Sequence, residues 1–229
     1  MRLTHTMLPA SPARSRFTDP GRGLIAMSLL AGLAYPFADT ALPLVGTVFI
    51  KGLSVGLLAV AAALLASPQR WWLAAILGAG AIGDVLLDVP GLFLFGAGAF
   101  AIGHIVAMLF YVREGRRRTG IGERLAAAAL VGWGLVMPSL VSPPGTPIGG
   151  SMLYSVLLCG MAAALLLSRF SRTALAGALL FVVSDTLLIM RLGGQLVGGE
   201  ALHGVMVWFS YYGGQMLIFL GVSSGLARR

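Results

Sequence analysis

The feature that most constrains this chain is a series of eight apolar runs, each about the length that crosses a bilayer. They cover 23–38, 42–66, 71–89, 92–112, 123–141, 149–168, 172–191 and 203–225. About 20 apolar residues in a helix span the ~30 Å hydrocarbon layer. In hydrocarbon each backbone N–H and C=O must find its partner inside the segment, and runs this long exceed a barrel strand. The expected fold is therefore all-α: a polytopic membrane protein, a bundle of eight transmembrane helices. Composition excludes the alternatives. Charged residues make up only 10%, against roughly 25% in a soluble domain, while 58% of residues are hydrophobic and the mean hydropathy is +0.91. So few charges cannot cover a water-facing surface, which argues against a soluble enzyme, a disordered chain or a disulfide scaffold. The single Cys159 lies in an apolar run and reads as a small buried hydrophobe, with no intramolecular disulfide and no cysteine metal site.

The charges that remain are placed unevenly. Of 16 basic residues 15 are Arg, and 14 of those fall in the N-terminal segment, in alternate joints around Arg70, Arg113–Arg124 and Arg169–Arg172, and at Arg228 and Arg229. The other joints hold Asp39, Asp88, a Ser142-Pro143-Pro144-Gly145 turn, Glu200 and the lone Arg191. Arginine marks the cytoplasmic side, so an eight-helix chain is expected to keep both termini cytoplasmic. The same asymmetry accounts for the pI near 10.8 without a nucleic-acid partner. Residues 1–22 are polar, basic and without an apolar core, so they are expected to form a disordered tail rather than a cleavable signal. Residues 23–225 form the transmembrane domain and 226–229 a second basic tail. The charge asymmetry and the Arg/Ala/Gly-rich composition point to a bacterial plasma (inner) membrane.

Two short segments echo each other. Gly83-Asp84-Val85-Leu86-Leu87 in the third run resembles Ser184-Asp185-Thr186-Leu187-Leu188 in the seventh, four helices later. Four is even, so the two run the same way across the membrane, as in a parallel duplication. The 32 glycines suit close helix packing through small-residue faces.

Three ionisable residues stand inside apolar runs: Lys51, Asp84 and Asp185. Each costs roughly 2.5–3.5 kcal/mol on insertion scales, which makes each a functional candidate. Neutral polar neighbours join them: His104, Tyr111, Tyr154, Ser184, Tyr211, Tyr212 and Gln215. Asp84 and Asp185 each lie 13 residues beyond the arginine-side start of their run, or ~20 Å at 1.5 Å per residue, so both carboxylates sit at one level in the outer half. Lys51 lies nine residues in from the outer side, near the midplane, and either acid is in range of its charge. Structural readings stand beside the functional ones. Lys51 can snorkel, the acids can pair with it as packing glue, and His104 can be a satisfied core histidine. Tyr111, Trp71 and Trp72 read as interface residues, Asp88 and Glu200 as helix-end groups, and His203 as solvated. No spacing matches a metal motif, a phosphate loop or a nucleophile elbow.

Taken together, these pieces resemble the YhhN-like, or lysoplasmalogenase, membrane proteins. The matching residues are Lys51, Gly83-Asp84-x-Leu86-Leu87, Phe95-Gly96-x-x-x-Phe100-x-x-x-His104, Tyr154, Gly177-Ala178-x-x-Phe181-x-x-Ser184-Asp185-x-Leu187-Leu188, and Tyr211-Tyr212-x-x-Gln215-x-Leu217-Ile218. Their order and spacing fit from about residue 23 to residue 222. Two departures are the extra N-terminal tail and Gly52 after Lys51, where many relatives carry proline. The resemblance implies hydrolysis of the vinyl ether bond of lysoplasmenyl-choline or lysoplasmenyl-ethanolamine, giving a fatty aldehyde and a glycerophospho-alcohol. The family's two catalytic aspartates carry over to Asp84 and Asp185. Lys51, His104, Tyr154, Ser184, Tyr211, Tyr212 and Gln215 are then supporting or substrate-binding groups. The chemistry is the two-carboxylate logic of glycoside hydrolysis, with Asp185 favoured as acid and Asp84 as base. It requires no metal and no organic cofactor. The partners implied are a lysophospholipid substrate from the bilayer and the membrane lipids themselves. A small proton-coupled transporter built on the same buried Asp and Lys groups is a second reading, and a purely structural membrane subunit a third.

Overall fold

A computed structural model describes residues 19–116 and 118–227. It contains eight helices: α1 (Asp19–Ala41), α2 (Leu44–Ala63), α3 (Arg70–Asp88), α4 (Phe93–Arg113), α5 (Ile121–Val141), α6 (Gly149–Leu167), α7 (Arg172–Leu192) and α8 (Glu200–Leu226). Every one is long and apolar enough to cross a membrane, so the chain is an integral membrane protein. The expected tail over residues 1–22 lies outside the described residues as far as 18, and from Asp19 onward the chain is already helical. Many large apolar side chains point outward, among them Phe37, Val45, Phe49, Leu94 and Ile121. In water such an exterior is an aggregation surface; in lipid it is the contact layer.

Helix order follows from which elements touch. α2, α3, α4, α6, α7 and α8 each pack on the next, and α8 packs back on α2, closing a ring of six. α1 lies outside against α2 and α8; α5 lies outside against α6 and α7. Shifting each helix number by four maps this ring onto itself, which is the arrangement the Gly83-Asp84 and Ser184-Asp185 echo anticipates. The outer helices depart from it, since α1 leans on α8 but α5 on α7, and within the ring it breaks at one contact. α3 touches α8, but among the described residues their counterparts α7 and α4 have no such backbone approach; they are bridged by rings such as Phe100 and Phe181, 6.0 Å apart.

Glycines set the closest seams. A Cβ on Gly177 would lie 2.5 Å from the Gly214 carbonyl oxygen, and one on Gly214 would lie 2.7 Å from that of Gly177. α7 and α8 therefore pack backbone to backbone, and they are the most buried spans. Pro36 has the opposite effect. It has no N–H to give to the carbonyl four residues back, and that carbonyl, Gly32, instead accepts from the Trp208 indole at 2.8 Å. A helix irregularity in α1 thus fixes an aromatic side chain of α8.

On the arginine-rich face the joints are tied. Gly115 and Ser168 form an antiparallel bridge. The Arg116 N–H donates to Leu167 O at 3.1 Å and the Arg169 N–H to Glu114 O at 3.0 Å. The Arg169 guanidinium also pairs with the buried Glu114 carboxylate. The opposite face has no such tie between α4 and α6 among the described residues.

Candidate functional site: a carboxylate pair inside the ring

Asp84 and Asp185 are 1% and 4% exposed, and both line one cavity of about 190 Å³. They stand 14 and 13 residues from the starts of α3 and α7, or about 20 Å along each axis, so the equal depth read from the sequence holds. Gly80, Gly83 and Asp84 share one face of α3 by their three- and four-residue spacing. A Cβ on Gly83 would meet the Phe100 ring at 2.5 Å, so the bare backbone is what lets that ring lie against α3 beside the carboxylate. Phe100 in turn packs edge-on against Tyr211, with centroids 5.7 Å apart and planes at 85°.

Each acid faces a phenol. Tyr211 donates to Asp84 Oδ2 at 2.7 Å, and Gln215 Nε2, one turn along α8, donates to Tyr211 Oη at 3.4 Å. Tyr154 of α6 lies beside the Asp185 carboxyl and 3.4 Å from His104 Nε2. Asp185 Oδ2 is buried and has no hydrogen-bond partner among the described residues. Burying a carboxyl oxygen without a partner is costly, so this oxygen is the unsatisfied point of the cavity.

The cavity opens toward the face opposite the arginine-rich joints. Its mouth carries two ion pairs: Lys51 Nζ to Asp88 Oδ1 at 2.6 Å and Arg191 Nη2 to Glu200 Oε1 at 2.8 Å. Tyr35 Oη donates to Asp88 Oδ2 at 3.4 Å, and the Lys51 ammonium sits 5.6 Å from the Tyr35 ring centre. Tyr35 packs on Trp208 with centroids 4.1 Å apart. A second, apolar groove of about 330 Å³ adjoins the cavity between α4, α6 and α7. Both are lined by Leu87, Phe93, Phe100, Tyr154 and Leu188.

Several expectations need correcting. Lys51 is directly bonded to Asp88, the last residue of α3, and not to Asp84 or Asp185; its stem reaches outward, toward the mouth, as in the snorkelling reading. Asp88 is thereby part of the site's polar rim rather than a mere helix end. Ser184 does not reach its neighbouring acid: its hydroxyl donates to Val207 O at 2.8 Å and fastens α7 to α8. Tyr212 points away from the cavity, bonded to Ser28 Oγ at 2.9 Å and stacked on Trp208. Tyr111 is fully buried, not interfacial, whereas Trp71 stays 60% exposed against Arg70 and Trp72 stacks on Phe110 at 5.7 Å under Arg113. His203 is also fully buried. Its Nδ1 accepts from Val197 N at 3.0 Å, which makes Nε2 the donor to Leu187 O at 2.8 Å. The histidine expected to be solvated instead pins the α7–α8 turn. Sequence reasoning missed Tyr35, Trp208, Arg191 and Phe93 as cavity walls. Pro36 is the signal that pointed there, since the carbonyl it frees needs a donor.

Among the described residues no group of three or more His, Cys, Asp or Glu side chains is placed to hold a metal ion. What the arrangement offers is acid–base chemistry: two buried carboxyls, each beside a phenol, a polar mouth and an apolar side groove. These features define a class, an integral membrane protein with an intramembrane acid pair enclosed by a ring of helices. The chain belongs to the YhhN family, whose match covers residues 46–222. That range holds all of the acid pair's direct partners and leaves α1, with Tyr35, outside. No curated protein and no solved structure matches the chain.

Proposed function

We propose that this chain hydrolyses the vinyl ether bond of a lysoplasmalogen, with Asp185 as the acid and Asp84 as the base. The observation that carries this reading is the pair of buried carboxyls at one depth in one cavity, each beside a different phenol. Family membership supports a membrane protein of this type, and the resemblance noted above supplies the substrate.

The steps are those of an enol ether. The acid transfers its proton to the β-carbon of the C=C–O unit, leaving an oxocarbenium ion. Water adds to the cationic carbon while the base takes a proton from it. The hemiacetal then collapses: its hydroxyl proton leaves, the glycerol oxygen is protonated, and the C–O bond breaks to give aldehyde and alcohol. Asp84 suits the anionic role because Tyr211 donates to its Oδ2, a charge-assisted bond that the neutral acid would not match. Asp185 suits the proton donor because, among the described residues, Oδ2 has no hydrogen-bond partner to compete with substrate. The division of roles by surroundings is a general device of two-carboxylate sites.

The deciding experiment is aldehyde release by purified protein in detergent, supplied with lysoplasmenyl-choline and lysoplasmenyl-ethanolamine, beside Asp84→Asn and Asp185→Asn. Release by the parent and loss in both folded variants is the expected result. Undiminished release by either variant removes that residue from the chemistry. Absence of release by folded parent, with movement of a solute across sealed vesicles, turns the assignment to the carrier reading.

A further inference from the structure

The polar mouth, the acid pair and the apolar groove lie in sequence, and this order restricts how a lipid lies in the protein. Resting on the reading above, we propose that the groove between α4, α6 and α7 holds the alkyl tail of a single-chain lipid, that the mouth holds its zwitterionic head, and that the lipid comes from the leaflet opposite the arginine-rich joints.

The position of the groove sets the leaflet. Its lining includes Phe93 and Leu94 at the start of α4, Gly150 and Ser151 at the start of α6, and Leu192 at the end of α7. All of these ends face away from Arg70, Arg113, Arg116 and Arg169. Inward, the groove ends at Phe100 and Tyr154, seven and five residues into their helices, or about 10 Å deep. It therefore occupies one leaflet only. It lies where α4 and α7 fail to touch, the place that breaks the symmetry of the ring, and Leu94 on its rim is 79% exposed to the surroundings.

The mouth supplies the complementary charge pattern. Two cations and two anions alternate there as Lys51–Asp88 and Arg191–Glu200. A phosphate suits Lys51 and Arg191. A quaternary or primary ammonium suits the carboxylates of Asp88 and Glu200. A vinyl ether joins the glycerol oxygen directly to the tail, so it falls at the junction of mouth and groove. The shared wall there is Phe100 and Tyr154, next to Asp84 and Asp185.

The test uses a lipid the protein cannot cleave, so that binding is read apart from turnover. The probe is a saturated alkyl-ether lysophosphocholine with a diazirine midway along its chain, photolysed with the full-length protein in phosphatidylcholine vesicles. Mass-spectrometric mapping is expected to find label concentrated at Leu94, Ala97, Ser151 and Leu188, and removed by excess unlabelled lysolipid. Label spread evenly over the lipid-facing Phe37, Phe49 and Leu153, or not removed by competitor, overturns the proposal. Ala97→Trp fills the groove and is expected to cut competed labelling about tenfold, the effect of an ordinary steric clash. Leu153→Trp, exposed and outside the groove, is expected to leave it unchanged. Competed labelling without aldehyde release keeps the groove and overturns the hydrolase; release with evenly spread label does the reverse.

Discussion

The Lys51–Asp88 pair gives a prediction whose size follows from its burial. The lysine side chain is 13% exposed and the aspartate 24%. Fully exposed pairs contribute about 0.2–1 kcal/mol, and breaking a fully buried one costs about 3–5 kcal/mol because a charge is stranded. This pair lies between, so Lys51→Met and Asp88→Asn are each expected to cost about 2 kcal/mol. The double variant strands no charge. It is expected to cost about 2 kcal/mol as well, not the sum of about 4, leaving a coupling of about 2 kcal/mol. For a chain of this length each kcal/mol moves Tm by about 2–4 °C. Each single variant is thus expected to melt about 4–8 °C lower, with the double variant no lower than either. The assay is thermal unfolding in detergent, followed by labelling of the buried thiol of Cys159. Costs that add to within about 0.5 kcal/mol, the behaviour of independent sites, refute the pairing. So does a larger coupling in the parallel Lys51 and Asp84 cycle, because the geometry puts the ammonium on Asp88 and not on the catalytic candidate.

Other expectations follow from single contacts. Tyr211→Phe removes the donor to Asp84; a hydrogen bond to a charged group contributes about 1.5–3 kcal/mol, so aldehyde release is expected to fall by about one to two orders of magnitude with the fold intact. Gly83→Ala pushes a methyl to 2.5 Å from the Phe100 ring; overpacking of that kind costs about 1–3 kcal/mol, read as a lower Tm together with reduced turnover, and an unchanged Tm overturns the packing argument. His203→Ala deprives Val197 N and Leu187 O of their partner and is expected to expose the α7–α8 turn to limited proteolysis. In sealed vesicles of one orientation, lysolipid added on the side away from the arginine-rich joints is expected to be consumed first, and equal consumption from either side refutes the one-leaflet groove.

Much of the fold was legible because the bilayer permits so little else. Helix boundaries fall within a few residues of the apolar runs, since runs and joints alternate with hardly a charge in the wrong place. Asp84 and Asp185 were legible because a carboxyl in hydrocarbon needs a reason to be there. The partner of Lys51 was not, because residue counts give the depth of a Cα and a lysine stem carries its charge several ångströms along the helix. Tyr212 was misplaced for a related reason. Adjacent helical residues point about 100° apart, and no count says which of the two faces the cavity. His203 misled because a helix end looks like water until the turn before it folds over the ring, as residues 193–199 do here.

The tie between Gly115, Glu114 and the segment Leu167–Arg169 has a mechanical consequence. It fastens the ends of α4 and α6 to each other on one face of the membrane, while among the described residues no comparable tie joins their other ends, at Phe93 and Gly149, to each other. Relative to each other, the two helices are therefore hinged at the tied face, each tip resting on its own neighbour, α4 on α3 and α6 on α5. α4 has 21 residues, an arm of about 30 Å, so a rotation of only about 3° at the hinge parts the untied ends by about 1.6 Å. Backbone hydrogen exchange is expected to be faster at the untied tips, where Leu94 and Ser151 stand, than at the arginine-rich face. The geometry lets these two tips part from each other while the tied ends stay together.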